Sequence, residues 1–325
     1  MLSKSVTYFT KTSKKNPHNR LMTHAESTQD LRALKELKRS FIVSQPTETV
    51  ALTNDGELSL YFVGTGSAFA KNLHQNNLLV IKGEDHILID CGSKCSQTMH
   101  DRGFEISDIK NFVITHSHAD HIGGLEEAQL FGRYVSQIKP NMVINEEYQK
   151  ILWEQSLRGG SEMSESTPLV FEDLWNPIRP TRVDEAPRET WQTNIGSINL
   201  KLPRTMHYPD SAPTWKESFW SVGVIIDDRI LYTSDTRFDI DLLQSFDALY
   251  NFDIIFHDCQ LFTGGVHASL NELKTLPDHI KRRIVLMHYG DNWKDFEQEA
   301  LDSGFHSWAK EAHSYTIENK VCVKA

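Results

Sequence analysis

Thr115-His116-Ser117-His118-Ala119-Asp120-His121-Ile122-Gly123-Gly124 is the stretch on which the reading of this chain turns. Three imidazoles and a carboxylate crowd into consecutive positions there. Neutral imidazole nitrogens and a carboxylate form the donor set that suits zinc and its neighbours, whereas a folding core has no use for so many titratable groups side by side. The flanks place the cluster. Asn111-Phe112-Val113-Ile114 is a short apolar run rich in β-branched and aromatic residues, the pattern of a buried strand. Gly123-Gly124 then opens Leu125-Glu126-Glu127-Ala128-Gln129-Leu130-Phe131, which reads as a helix. The cluster therefore lies between the carboxyl end of a strand and a helix, where open α/β sheets place their sites. At this spacing His116 and His118 can face one metal position, while Asp120 and His121 turn toward a second. Four side chains do not complete two ions, so further donors are expected elsewhere.

Residues 115–124 resemble the His-x-His-x-Asp-His signature of the metallo-β-lactamase superfamily of hydrolases, and other stretches follow that family's pattern in order. Upstream, the strand-like residues 58–63 lead into Gly64-Thr65-Gly66-Ser67-Ala68, and Ile87-Leu88-Ile89-Asp90-Cys91-Gly92 ends a second strand in Asp-x-Gly. Downstream, His207 follows Ile198-Asn199-Leu200-Lys201-Leu202, Asp235 follows Arg229-Ile230-Leu231-Tyr232-Thr233, and Ile284-Val285-Leu286-Met287 runs into His288. The resemblance implies an α/β fold, a four-layer αββα sandwich. It also implies one metal held by His116, His118 and His207, a second held by Asp120, His121 and His288, and Asp235 bridging them. Such a site is about 3.5 to 4 Å across, and zinc lowers the pKa of bound water from about 15.7 to about 7. The implied nucleophile is a hydroxide between the ions, with Asp120 both ligating and orienting it. Zinc is the expected metal, with manganese or iron also compatible with the donors.

The chain has 325 residues, 39% of them hydrophobic, enough for one large core. No apolar run approaches the roughly 18 residues a membrane span needs. Cys91, Cys95, Cys259 and Cys322 show no disulfide-framework spacing, and read as reduced thiols of a cytoplasmic protein. The expected organisation is a basic extension over residues 1–56 and a hydrolase domain over residues 57–325. In the extension, nine Lys/Arg stand against three Asp/Glu up to Gln45. Leu31, Leu34, Leu37 and Phe41 recur at helical spacing behind a Ser27-to-Asp30 capping box, predicting an amphipathic helix over residues 30–41. That helix could dock on the body, pair with a second copy in a homodimer, or serve as a partner-binding or nucleic-acid arm; the basic start also fits a transit segment. Residues 149–191 form an insertion. Its polar, glycine-broken residues 158–166 predict a mobile loop, and Phe171, Trp175 and Trp191 fit packing, a lid or a dimer contact.

The reaction class follows from the resemblance, whereas the substrate needs further residues. Gly64 to Ala68, Ser234-Asp235-Thr236, and Gly264-Gly265-Val266-His267-Ala268-Ser269 are similar to the ribonuclease Z and cyclic-nucleotide phosphodiesterase branch. The resemblance places His267 near the leaving group, where a histidine can supply a proton to an alkoxide; a helix cap is its plainer role. The loop after His207 carries Tyr208 and Trp215, candidates to stack on a substrate ring. A grip on RNA needs a basic footprint, but the formal net charge is -10. A small cyclic-nucleotide phosphodiester is therefore the expected substrate. RNA 3′-end cleavage in the manner of ribonuclease Z and lactonase or thioesterase activity are the alternatives.

Overall fold

The computed structural model describes residues 41–46 and 49–318. The apolar runs become two eight-stranded mixed sheets. The first contains β1 (Phe41–Val43), β2 (Leu58–Gly64), β3 (Asn77–Lys82), β4 (Asp85–Ile89), β5 (Asn111–Val113), β6 (Asn141–Val143) and β7 (Asn176–Ile178). The second contains β8 (Thr181–Arg182), β9 (Thr190–Ile195), β10 (Ile198–Pro203), β11 (Val224–Ile226), β12 (Ile230–Tyr232), β13 (Ile254–Asp258), β14 (Ile284–Met287) and β15 (Ser307–Trp308). The last strand, β16 (Ser314–Ile317), returns to the first sheet between β1 and β2. Each sheet begins as antiparallel hairpins and ends as a parallel run, β4 to β7 in one and β12 to β15 in the other.

Burial on both faces explains why these strands read as continuous apolar runs rather than alternating ones. In the second sheet Ile230, Tyr232, Ile254, Phe256, Val285 and Met287 join the core shared with the first sheet. Their neighbours Leu231, Ile255, Ile284 and Leu286 point the other way, toward Leu242, Leu243 and Phe246 of the helix Ile240–Tyr250. The period-two alternation of side chains thus serves two layers at once. Helices cover the outer faces, and the arrangement is the αββα metallo-β-lactamase sandwich.

Two expectations changed. The amphipathic helix over residues 30–41 falls outside the described residues except for Phe41, which begins β1 and pairs with Ile317. Helical spacing could not foresee this, because the edge pairing joins residues from opposite ends of the chain. Arg158–Ser161 is helical rather than a mobile loop, continuing the helical stretch that starts at Glu146. A tertiary bond chain fixes it: Gln129 Nε2 donates to Ser161 Oγ, while Trp175 Nε1 donates to Gln129 Oε1 at 2.7 Å. Phe171 and Trp175 are fully buried, and Trp191 packs on Trp220 with ring centroids 5.1 Å apart. The aromatics of the insertion therefore pack it onto the body.

Candidate metal centre

Seven side chains meet at the carboxyl ends of the strands. β5 delivers His116 and His118 on the segment that follows it; the helical turn Ala119–Ile122 then rotates Asp120 and His121 away. That turn separates the two pairs, since successive residues on a helix point about 100° apart. β10, β12 and β14 release the chain toward His207, Asp235 and His288. Three non-glycine residues there have left-handed backbone: Asp90 (φ 64°), Ser234 (φ 52°) and His288 (φ 57°). Each costs on the order of 1 kcal/mol or more, and together they turn three chain ends sharply inward.

His116, His118, His207 and Asp235 form one set of converging donors; Asp120, His121, Asp235 and His288 form a second. In the first, His118 Nδ1 lies 3.0 Å from His116 Nε2 and 3.1 Å from His207 Nε2, and Asp235 Oδ2 is 3.7 and 3.9 Å from those Nε2 atoms. In the second, Asp120 Oδ2 lies 3.3 Å from both His121 Nε2 and His288 Nε2, and Asp235 Oδ2 lies 3.2 and 3.4 Å from them. Donors about 2.0 to 2.1 Å from a tetrahedral ion sit roughly 3.3 Å from one another. The spacing therefore fits a divalent ion in each set, with Asp235 common to both. Among the described residues Asp235 Oδ1 is buried with no hydrogen-bond partner, a cost that a cation relieves.

A surrounding layer holds these rings. His116 Nδ1 lies 3.1 Å from Thr115 Oγ1, and His207 Nδ1 donates to the Val266 carbonyl at 2.8 Å. His121 Nδ1 meets Asp90 Oδ2 at 2.7 Å, and His288 Nδ1 meets Asp258 Oδ1 at 3.2 Å. Asp90 is itself fixed by the Thr115 amide at 2.8 Å, and Asp258 by the Thr236 amide at 3.0 Å. Such outer partners set ring orientation and raise donor basicity. Burial pushes His116 and His118 below the ordinary histidine value and His207 down to about 4. Burial also opposes the charged form of His121 and His288, but nearby carboxylates outweigh it and raise both. For Asp120 and Asp235 burial pulls upward, and the imidazoles win, holding both below the usual carboxylate range.

His267 stands at the edge of this centre. Its ring stacks on His288 with centroids 4.9 Å apart, and its Nδ1 meets Asp258 Oδ2 at 2.7 Å. Burial lowers its basicity, yet the Asp258 carboxylate outweighs that and raises its pKa. Its side chain is 22% exposed, and it lines a cavity of about 150 Å³ with His288, Ser67, Phe69, Phe262 and Asn292. Tyr208 stacks on His118 at 4.5 Å and 27°, with its phenol pushed up to about 12 by burial. Trp215 is not brought to these histidines; its ring lies under the guanidinium of Arg188 at 5.9 Å. Asp258 was missed as a functional residue. Its signal was its place at the end of β13, the strand between those that release Asp235 and His288.

A larger cavity of about 540 Å³ includes none of the seven donors in its lining, so volume alone does not locate the chemistry. Cys91, Cys95 and Cys259 are free and buried. Among the described residues no helix is long and apolar enough to cross a membrane.

Known proteins share both sequence and fold with this chain. The family model described as "Anti-Pycsar protein Apyc1" matches residues 58–315. The Apyc1 protein of Bacillus phage vB_BsuM-Goe3 is 38% identical over 245 residues, spanning 73% of this chain and 91% of that protein. The Apyc1 protein of Paenibacillus harenae is 36% identical over 242 residues, spanning 74% and 93%. Among solved structures, the metallo-β-lactamase fold protein YhfI from Bacillus subtilis superposes with a TM-score of 0.59 at 15% identity, covering 80% of this chain and 99% of that one. Human tRNase Z, short form, superposes with a TM-score of 0.54 at 16% identity, covering 80% and 100%. At such identities these two show the fold.

Proposed function

This chain belongs to the Anti-Pycsar protein Apyc1 family, and from that premise we propose that this hydrolase is a two-metal phosphodiesterase that opens cyclic nucleotides. The observation that carries the reading is His267, oriented by Asp258 beside both donor sets and lining the adjoining cavity. A phosphodiester leaving group is an alkoxide and benefits from such a proton donor; a thioester's leaving thiolate gains far less. In this reading the centre holds two divalent ions, zinc by preference, in the two sets that share Asp235. When bound, they supply an acidified water and neutralise charge on the phosphoryl oxygens.

The chain's own residues then do four things. His116, His118 and His207 present neutral imidazoles to one position, and Asp120, His121 and His288 serve the other. Asp120 also orients the attacking water. Asp258 keeps His267 Nδ1 engaged, so that Nε2 is the nitrogen left to meet substrate. As hydroxide, left when the acidified water gives its proton to solvent, bonds to phosphorus and the ester P–O bond breaks, His267 delivers a proton to the departing ribose oxygen, leaving a nucleoside monophosphate. Tyr208 borders the site through its stack on His118. The net charge of -10 weighs against a tRNA-sized polyanion. We assign cytoplasmic action and a homodimer to the same reading, with the relatives' anti-Pycsar role as its biological setting.

The test compares zinc-loaded protein on 3′,5′-cyclic nucleotides, bis-p-nitrophenyl phosphate, a lactone and a thioester. Turnover of the phosphodiesters is expected, and turnover of the carbonyl compounds alone would refute it. His267→Ala should cost about a hundredfold on cyclic nucleotides and only a few-fold on the p-nitrophenyl ester, whose leaving group needs no proton. Its zinc content should match the wild type.

A further inference from the structure

Phe69 is 88% exposed, the most exposed large apolar side chain among the described residues, and Phe262 is 68% exposed. They come from distant parts of the chain, Phe69 from the turn between β2 and β3 and Phe262 from the segment after β13. Both nevertheless line the cavity that has His267 and His288 in its wall.

The loops that carry them are tied down. The Ser67 amide donates to the Tyr289 carbonyl at 3.0 Å, and the Lys71 and Asn72 amides donate to the Asp291 carboxylate at 2.8 and 2.9 Å. On the other side the Gln260 amide donates to the Ala268 carbonyl at 2.8 Å, and the Leu270 amide donates back to Gln260 at 2.9 Å. Each phenyl ring is therefore held out by a backbone fixed at its feet. Leaving two such rings in water forgoes the gain of burial, and convergence on one cavity marks a surface that something apolar completes.

The occupant has to be small and flat on one side of a phosphate. The cavity measures about 150 Å³ and its wall includes His288 and the proton-donating His267, so a group seated there is attached to whatever the metal centre holds. Ser67 and Asn292 add polar edges to the same lining. Resting on the phosphodiesterase reading above, we infer that Phe69 and Phe262 clamp the nucleobase of a nucleoside phosphodiester. They thereby select nucleotides over other diesters. Stacking of this kind accepts any base, because every base has a π-face.

The experiment uses the full-length, zinc-loaded chain and calorimetry with AMP, UMP and ribose 5-phosphate. Wild type should bind the nucleoside monophosphates about tenfold or more tightly than ribose 5-phosphate. In Phe69→Ala with Phe262→Ala that preference should shrink to within about threefold, and the loss in cyclic-nucleotide turnover should fall in KM with kcat little changed. Zinc content of the double alanine variant should match the wild type, and Phe69→Trp with Phe262→Trp should retain the preference. Equal binding of all three ligands by wild type overturns the clamp. So does an undiminished preference in the double alanine variant, including the case where that variant changes only its oligomeric state and so places a second copy on the rings. A wild type that shows the binding preference yet cleaves no cyclic nucleotide would refute the proposed reaction while leaving the clamp standing.

Discussion

The two donor sets share Asp235 and differ in what stands behind their imidazoles. A hydroxyl and a carbonyl, from Thr115 and Val266, back His116 and His207; carboxylates, from Asp90 and Asp258, back His121 and His288. Burial dominates at the first set and leaves its imidazoles neutral. At the second, Asp235 and Asp120, with Asp90 and Asp258 behind the rings, outweigh burial and raise both histidines. A backing carboxylate makes an imidazole a stronger donor, but an ion must then displace the proton it attracts. Three imidazoles with Asp235 on one side, and two imidazoles with Asp120 and Asp235 on the other, thus form two positions of unlike character.

The largest effect is expected where the sets are joined. Asp235→Ala should lower zinc content at both positions and reduce phosphodiester turnover by roughly a thousandfold or more, several kcal/mol of charge stabilisation; metal analysis beside kinetics checks this. A variant losing one ion only would show that the carboxylate is not shared. Asp258→Asn removes the charged backing of His288 and leaves that of His121, from Asp90, in place. Affinity for one zinc should fall about ten- to a hundredfold while the other is retained, as read by competition with a chromogenic chelator.

Acidification should sharpen the contrast. His121 and His288 have raised pKa values, so their protons compete with metal from a higher pH as the solution is acidified. His207, pushed down to about 4, stays neutral far longer. Zinc titrations at successive pH values should therefore show one affinity weakening with acid well before the other, with more protons released on filling the weaker position. The smallest effect belongs to the loop after His207. Trp215→Ala should leave turnover within about twofold, since its ring sits against Arg188 and Lys216 rather than the histidines.

Legibility followed the range of the forces involved. His116 to His121 could be read because its candidate donors are contiguous and flanked by a strand and a helix, whereas His207, Asp235 and His288 were legible only through the resemblance to the metallo-β-lactamase pattern. Asp258 was harder, since one carboxylate at a strand end has no spacing of its own; its role appears only when β13 is set beside β12 and β14. The helical stretch through Arg158–Ser161 was hidden by Gly159 and Gly160, whose weak helix propensity is overridden by bonds linking Ser161, Gln129 and Trp175. Phe41 kept a helical spacing and went into an edge strand. Trp215, adjacent to a donor loop in sequence, was drawn to a guanidinium instead of the cavity.

Chelator-treated protein titrated with zinc, with bound metal and cyclic-nucleotide turnover measured on the same samples, addresses the two-position centre itself. Turnover should remain low through the first equivalent per chain and reach its plateau as the second binds. Full activity at one equivalent, or undiminished activity after complete chelation, would contradict a centre in which both sets act together.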